Sequence, residues 1–160
     1  FSAFLGVPVR LVFLPEEIRR PVDPRHVPAG YHTGFSDGYP ILLISDASLE
    51  DLNGRLRRPV SLNRFRPNLV VRGCVPYAED TWRSFRIGSC IFRIVKPCAR
   101  CVVTTVNPET GERETEPLKT LEQYRRKGEK VLFGQNVIAE ALGSIRIGDA
   151  VVPDEEEKHE

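Results

Sequence analysis

Two cysteines three positions apart, in the segment Cys98-Ala99-Arg100-Cys101, carry the clearest chemistry in this chain. The thiolate is the form of cysteine that attacks electrophiles and binds soft metals, and a neighbouring guanidinium favours it. The pair lies between Ile91-Phe92-Arg93-Ile94-Val95-Lys96-Pro97 and Val102-Val103-Thr104-Thr105-Val106, two runs that read as strands. A thiol placed where a rigid strand meets a turn is aimed at one point. A single Cys-x-x-Cys is compatible with half of a zinc site, a redox pair, or one thiolate ligand beside a structural neighbour. Structural zinc needs four ligands, and Cys74 and Cys90 do not make a second close pair. A thioredoxin-type pair would open a helix, whereas the β-branched run after Cys101 predicts a strand. Packed, inert cysteines are the competing reading.

Further segments offer polar groups in constrained settings. Phe65-Arg66-Pro67-Asn68 sets a guanidinium and an amide around a rigid proline, suited to an anionic or heterocyclic ligand or to a surface ion pair. Asp37, in Ser36-Asp37-Gly38, stands before an apolar run, where an ordinary Asx-turn is the readier explanation from pattern alone. Gly134, between Phe133 and Gln135, permits close backbone approach to a flat ligand or simply a turn. His26, His32 and His159 show no ligand spacing, and Trp82 reads as a core or loop anchor.

The elements that must position these groups follow from pattern. Val9–Leu14 and Ile41–Ser45 read as strands, the second a buried one. Asp46 is a candidate N-cap for a helix in which Leu49, Leu52 and Leu56 share a face until Pro59. Leu69–Arg72, Ser84–Ile87 and Cys90–Val95 predict short strands, with Gly88-Ser89 as a hairpin turn between the last two. Val102–Val106 is a further predicted strand, closed by the turn residues Asn107 to Gly111. Pro117 suits a first helical position before Leu118, Leu121 and Tyr124. Val137–Ala139, Ile145–Ile147 and Ala150–Val152 close the chain as short strands. Many strands with two helices predict a mainly β (α+β), barrel-like domain with a few short flanking helices.

Bulk properties set the class. The 160 residues suffice for one core, and 41% hydrophobic with 28% charged residues describes a globular chain. A net charge of +1 argues against nucleic acid as a partner. No apolar stretch has the length of a membrane span. Four sparse cysteines suit a reducing compartment, and the cytoplasm is the expectation. Domain boundaries are expected at residues 1–152, followed by an acidic tail or linker at 153–160. The chain starts at Phe1 and contains no methionine, which predicts a fragment of a longer protein.

In collinear order the chain resembles the MOSC domain, in particular the branch of amidoxime-reducing components and their bacterial relatives. The matching text is Phe35-Ser36-Asp37, Ser45-Asp46-Ala47-Ser48-Leu49 with Leu52-Asn53, Phe65-Arg66-Pro67-Asn68 and Tyr77-Ala78-Glu79-Asp80-Thr81-Trp82. It continues through Pro97-Cys98-Ala99-Arg100-Cys101, Thr104 to Gly111, and Phe133-Gly134-Gln135. The resemblance implies a MOSC-type β-barrel and a molybdenum–molybdopterin cofactor whose protein ligand is the Cys101 thiolate. It further implies that Asp37 handles a proton or orders a water near the metal. Arg66, Asn68, Ala99 and Arg100 fall where the family contacts the pterin and its phosphate, and Cys98 falls at a structural position.

The implied activity is reduction of N-hydroxylated compounds, hydroxylamines and amidoximes, with Cys101 and Asp37 at the reacting centre. Electrons would come from a separate flavin, haem or iron–sulfur protein or domain, because no motif here supplies them. The alternatives implied are a sulfur-carrying domain, with persulfide or cofactor delivery from Cys101, and a cofactor-binding module without turnover. Pyridoxal phosphate binding is a term attached to the wider family, with no residue to assign to it. The resemblance also implies a further N-terminal β-rich part that contacts the cofactor phosphate, so the fragment alone is expected to hold cofactor weakly and to be inactive.

Overall fold

A computed structural model describes the backbone of residues 1–155. The elements in chain order are α1 (Ser2–Leu5), β1 (Arg20–Pro21), β2 (His32–Thr33), β3 (Ile41–Ser45) and α2 (Asp46–Arg55). They continue with β4 (Leu69–Val71), β5 (Trp82–Ile87), β6 (Cys90–Ala99), α3 (Leu118–Tyr124), β7 (Arg126–Lys127), β8 (Lys130–Ala141) and β9 (Val151–Glu155).

β1 and β2 form a small ribbon, and the other strands make one sheet in the order β4-β3-β8-β6-β5-β9, with β7 against β8. Among the described residues, only β3 and β4 run parallel. The mainly β class expected from sequence is therefore what forms, a curled half-barrel with few short helices. The curl has a local cause. The long pair β6–β8 changes register at Ile91/Phe92, Ile94/Lys96 and Pro97/Ala99, and each bulge adds bend and twist.

β3 buries both of its faces, which explains its unbroken apolar run. Leu43 packs with Trp82, Phe85, Phe92 and Val137 on one side. Ile44 packs with Leu52 of α2, Leu121 of α3, Phe65 and Phe133 on the other. Leu52 is wholly buried, so truncation to alanine costs about 2–5 kcal/mol. The N-cap of α2 is Ser45 rather than Asp46, because the Ser45 hydroxyl accepts from Ser48 N at 3.1 Å. Glu79, buried between β3 and α2, accepts from Ser45 N at 3.1 Å and from the Ser48 hydroxyl at 2.8 Å.

Three expected strands do not form. Val9–Leu14 has no strand beside it among the described residues and leaves Leu11 and Phe13 exposed. Ile145–Ile147 belongs to a turn in which Arg146 N donates to Asp149 Oδ2 at 2.8 Å. Val102–Val106 is mostly a 3-10 turn over Val102–Thr105. There the threonine hydroxyls return to the backbone, Thr104 Oγ1 to Cys101 O at 3.0 Å and Thr105 Oγ1 to Val102 O at 2.7 Å. Those bonds offer the chain an alternative to a ladder and outweigh the β preference of its branched side chains. β9 runs through Glu155 and so takes in the first three residues of the tail expected at 153–160, while residues 156–160 lie outside the described residues.

Candidate functional site

β6 carries the cysteine pair to its end. Ala99 is the last residue of the strand and pairs with Leu132, and Arg100 N adds one more bond to Val131 O at 2.8 Å. The bulge between Pro97 and Ala99 leaves Cys98 out of the pairing. Cys101 then sits in extended conformation at the head of the 3-10 turn, where its carbonyl accepts from Thr104 N at 3.2 Å. Of the four cysteines, all free, Cys101 is the exposed one. Cys90 is buried, and burial pushes the half-buried Cys74 thiol up from its ordinary range. Among the described residues no three His, Cys, Asp or Glu side chains converge as metal ligands. The donor set is one exposed soft thiol, which suits a metal that brings its other ligands with it and not a four-ligand zinc site.

Arg100 organises the surroundings. Its Nη1 donates to Cys98 Sγ at 3.1 Å and its Nη2 to Phe65 O at 2.9 Å, while the guanidinium lies 5.4 Å from the Phe65 ring. Its Nε is buried with no hydrogen-bond partner. Phe65 is anchored in the core, 4.5 Å from Phe133 centroid to centroid. Asn68 is fixed from the other side, since Asn68 N donates to Leu42 O and Leu42 N donates to Asn68 Oδ1, both at 2.9 Å. Between these anchors Arg66 takes a left-handed backbone with φ of 55° and an exposed side chain. A non-glycine residue there costs about 1 kcal/mol, which the flanking bonds offset.

Asp37 occupies a separate loop. Arg20 holds that loop by its backbone, with Nη1 donating to Gly34 O at 2.9 Å and Nη2 to Asp37 O at 2.6 Å; Ser36 O accepts from Nη1 as well. The Asp37 side chain is exposed, and among the described residues no hydrogen bond joins its carboxylate to the cysteine segment. The loop approaches β6 through Tyr39, whose ring lies 5.1 Å from Lys96 Nζ. The structure therefore brings Cys98, Arg100 and the 65–68 loop together beside Cys101, and sets Asp37 on a neighbouring loop.

Sequence reasoning missed Arg64. Its buried guanidinium donates Nη1 to Thr105 O at 3.0 Å and Nη2 to Glu114 Oε2 at 2.6 Å, clamping the turn that Cys101 opens. No local pattern flags it, because its partners lie 41 and 50 positions away. Arg20 left no signal either. Gly134 corrects a different expectation. At φ of +77° a Cβ there would stand 2.7 Å from Ile44 Cγ1 and 2.8 Å from Leu43 O. The close approach it allows is to β3.

A family model described as MOSC domain matches residues 30–152. The chain is 43% identical, over an alignment of 164 residues, to mitochondrial amidoxime-reducing component 1 of Mus musculus, covering 94% of this chain and 48% of that protein. It is 46% identical over 126 residues to the component 1 protein of Homo sapiens, covering 73% of this chain and 37% of the relative. Against mitochondrial amidoxime reducing component 2 of Rattus norvegicus it is 46% identical over 131 residues, covering 76% of this chain and 38% of the relative. The chain thus spans about half the length, or less, of the curated relatives it matches.

Proposed function

The chain belongs to the MOSC domain family, and from that premise we propose that it is the molybdenum-cofactor-binding part of an oxidoreductase that reduces N-hydroxylated compounds, hydroxylamines and amidoximes. The observation that carries this reading is the exposed Cys101 thiol, held at the end of β6 by a turn that is itself clamped from below. The relatives are named as amidoxime-reducing, which supports the substrate class.

The residues present suit a molybdenum–molybdopterin group. Cys101 would supply the soft ligand. Arg66, exposed on its strained turn, and Arg100, with an unpartnered Nε, offer cations for the cofactor phosphate. Asn68 has Nδ2 left to donate, since its Oδ1 is used by Leu42 N. Ala99 adds no bulk beside them. When bound, the cofactor supplies a two-electron centre that removes oxygen from an N–O group.

The chain's own residues do the rest. Cys101 Sγ fixes the position of the centre. Arg66 and Arg100 hold and orient its anionic arm. The Asp37 carboxylate, on the loop pinned by Arg20, holds or passes a proton at its Oδ atoms. Electrons come from a separate flavin, haem or iron–sulfur carrier. The family model covers residues 30–152, and β9 carries the sheet on through Glu155, so residues 153–155 pair with β5. Four free cysteines suit a reducing compartment; the cytoplasmic expectation rests on that alone, whereas the relatives are named as mitochondrial. Among the described residues no helix is long and apolar enough to cross a membrane.

The test is metal and pterin analysis of the full-length protein from cells able to make the cofactor, together with loss of an amidoxime. Cys101→Ser should remove the metal and Cys98→Ser should keep most of it. Equal loss from both undoes the ligand assignment. Persulfide on Cys101 without reduction favours a sulfur carrier, and retained cofactor with neither activity favours a binding module. Asp37→Asn should slow turnover more than it lowers metal content. If metal loss accounts for the whole decline, the proton role fails.

A further inference from the structure

A shallow depression of about 320 Å³, largely open to solvent, lies beside the turn that Cys101 begins, between that turn, the 113–115 segment and the first turn of α3. Val102, its nearest wall, follows Cys101 directly, one Cα step of about 3.8 Å along the chain. The volume lies at the small end of ligand pockets, enough for a single substituted ring. Apolar surface comes from Val102, which is 50% exposed, and from half-buried Leu118.

The charges around the depression do not cancel. Four ionisable side chains line it, two acidic and two basic. Glu114 is already paired with buried Arg64 at 2.6 Å, and Glu122 with Arg126 at 3.1 Å. Arg113 and Lys119 enter no ion pair among the described residues. Both carboxylates thus have cation partners outside the lining, and two cations remain for whatever enters. A charged group beside an apolar surface binds best when both features are met by one molecule.

We propose that this depression seats the body of the substrate and selects N-hydroxylated compounds that carry a carboxylate on an aromatic or apolar frame. The inference rests on the reductase reading above and adds the substrate's distal group to it. The ring lies against Val102 and Leu118, the carboxylate meets Arg113 and Lys119, and the N–O end extends toward Cys101.

The experiment uses the full-length, metal-loaded protein with benzamidoxime and 4-carboxybenzamidoxime. The carboxylated compound should show the higher kcat/KM by about tenfold, through KM, with the advantage shrinking as salt rises. Arg113→Gln with Lys119→Gln should abolish that preference, while Lys127→Gln, a surface cation outside the depression, should leave it. Lys119→Gln alone gives the same direction should the double variant fail to fold. No preference in the parent protein, or a preference that survives the substitutions, overturns the proposal. Equilibrium dialysis of 4-carboxybenzamidoxime reads the site without turnover. If neither compound is reduced yet its Kd rises about tenfold in the double variant, the reductase reading falls and the carboxylate site stands. An unchanged Kd removes the site as well.

Discussion

Arg64 and Thr105 lie 41 positions apart in sequence and are joined by a 3.0 Å bond from guanidinium to carbonyl inside the fold. The same guanidinium holds Glu114, so one buried cation ties the turn after Cys101 to the segment that leads into α3. Only 7% of its side chain is exposed against 44% for Glu114, and the two ends of the pair must respond differently to deletion. Arg64→Met strands the Thr105 carbonyl and should cost about 3 kcal/mol. Glu114→Gln keeps an acceptor in reach of water and should cost less than about 1 kcal/mol. Urea unfolding of both variants checks the asymmetry. If Arg64→Met also lowers metal content in the loaded protein while Glu114→Gln does not, the clamp positions the ligand turn.

Arg100 makes two directed bonds at once, to Cys98 Sγ and to Phe65 O, and lies over the Phe65 ring. A lysine is a point charge and reaches only one of these acceptors. Arg100→Lys should therefore free the 65–68 loop, letting Arg66 relax from its φ of 55°. The expected loss is about 1–2 kcal/mol, read as a lower thermal midpoint. Cofactor retention should fall further than this stability loss explains. Retention equal to that of the parent protein shows that the guanidinium serves the fold alone.

The parts that local pattern dictates were legible in the chain. Ile41–Ser45 and the hairpin around Gly88-Ser89 are set by apolar runs and a turn glycine at φ of 57°. The exposed thiol was legible too, because a strand that ends before a turn presents its last residues. The run Val102–Val106 misled because branched side chains read as strand, while the threonine hydroxyls that bend it act only on carbonyls three positions back. Arg64 escaped for a different reason. Its partners are 41 and 50 positions away, and no local period reports a contact across that distance.

Gly134 offers the sharpest test of the sheet geometry. A methyl there meets Ile44 Cγ1 at 2.7 Å and the Leu43 carbonyl at 2.8 Å, and the left-handed φ of +77° adds strain. The carbonyl belongs to β3 and cannot swing aside. Gly134→Ala should cost about 3 kcal/mol or more, with soluble yield falling accordingly. A cost below about 1 kcal/mol would mean that β3 and β8 are less tightly apposed than described.

Asp51 links α2 to α3 through a titratable network. Its Oδ2 accepts from the Tyr77 hydroxyl at 2.7 Å and from Arg55 Nε at 2.8 Å, and Tyr77 meets the Tyr124 hydroxyl at 2.8 Å. Burial raises both phenols, so they remain protonated donors at every pH considered. The Arg55 hydrogen bond is the main reason the Asp51 carboxyl lies below its ordinary 3.8, with Tyr77 adding to it against desolvation. A carboxyl lowered in the folded state contributes stability above its unfolded value and loses it as the pH falls through the folded one. Arg55 is half exposed, so solvent screens the pair and keeps its charge contribution small. Asp51→Asn should therefore be less stable by about 1 kcal/mol at neutral pH, and the gap should close as the pH falls below about 4 into acid. Urea midpoints across that range decide it, because a gap that stays constant into acid would assign the loss to packing of the amide and not to the charge.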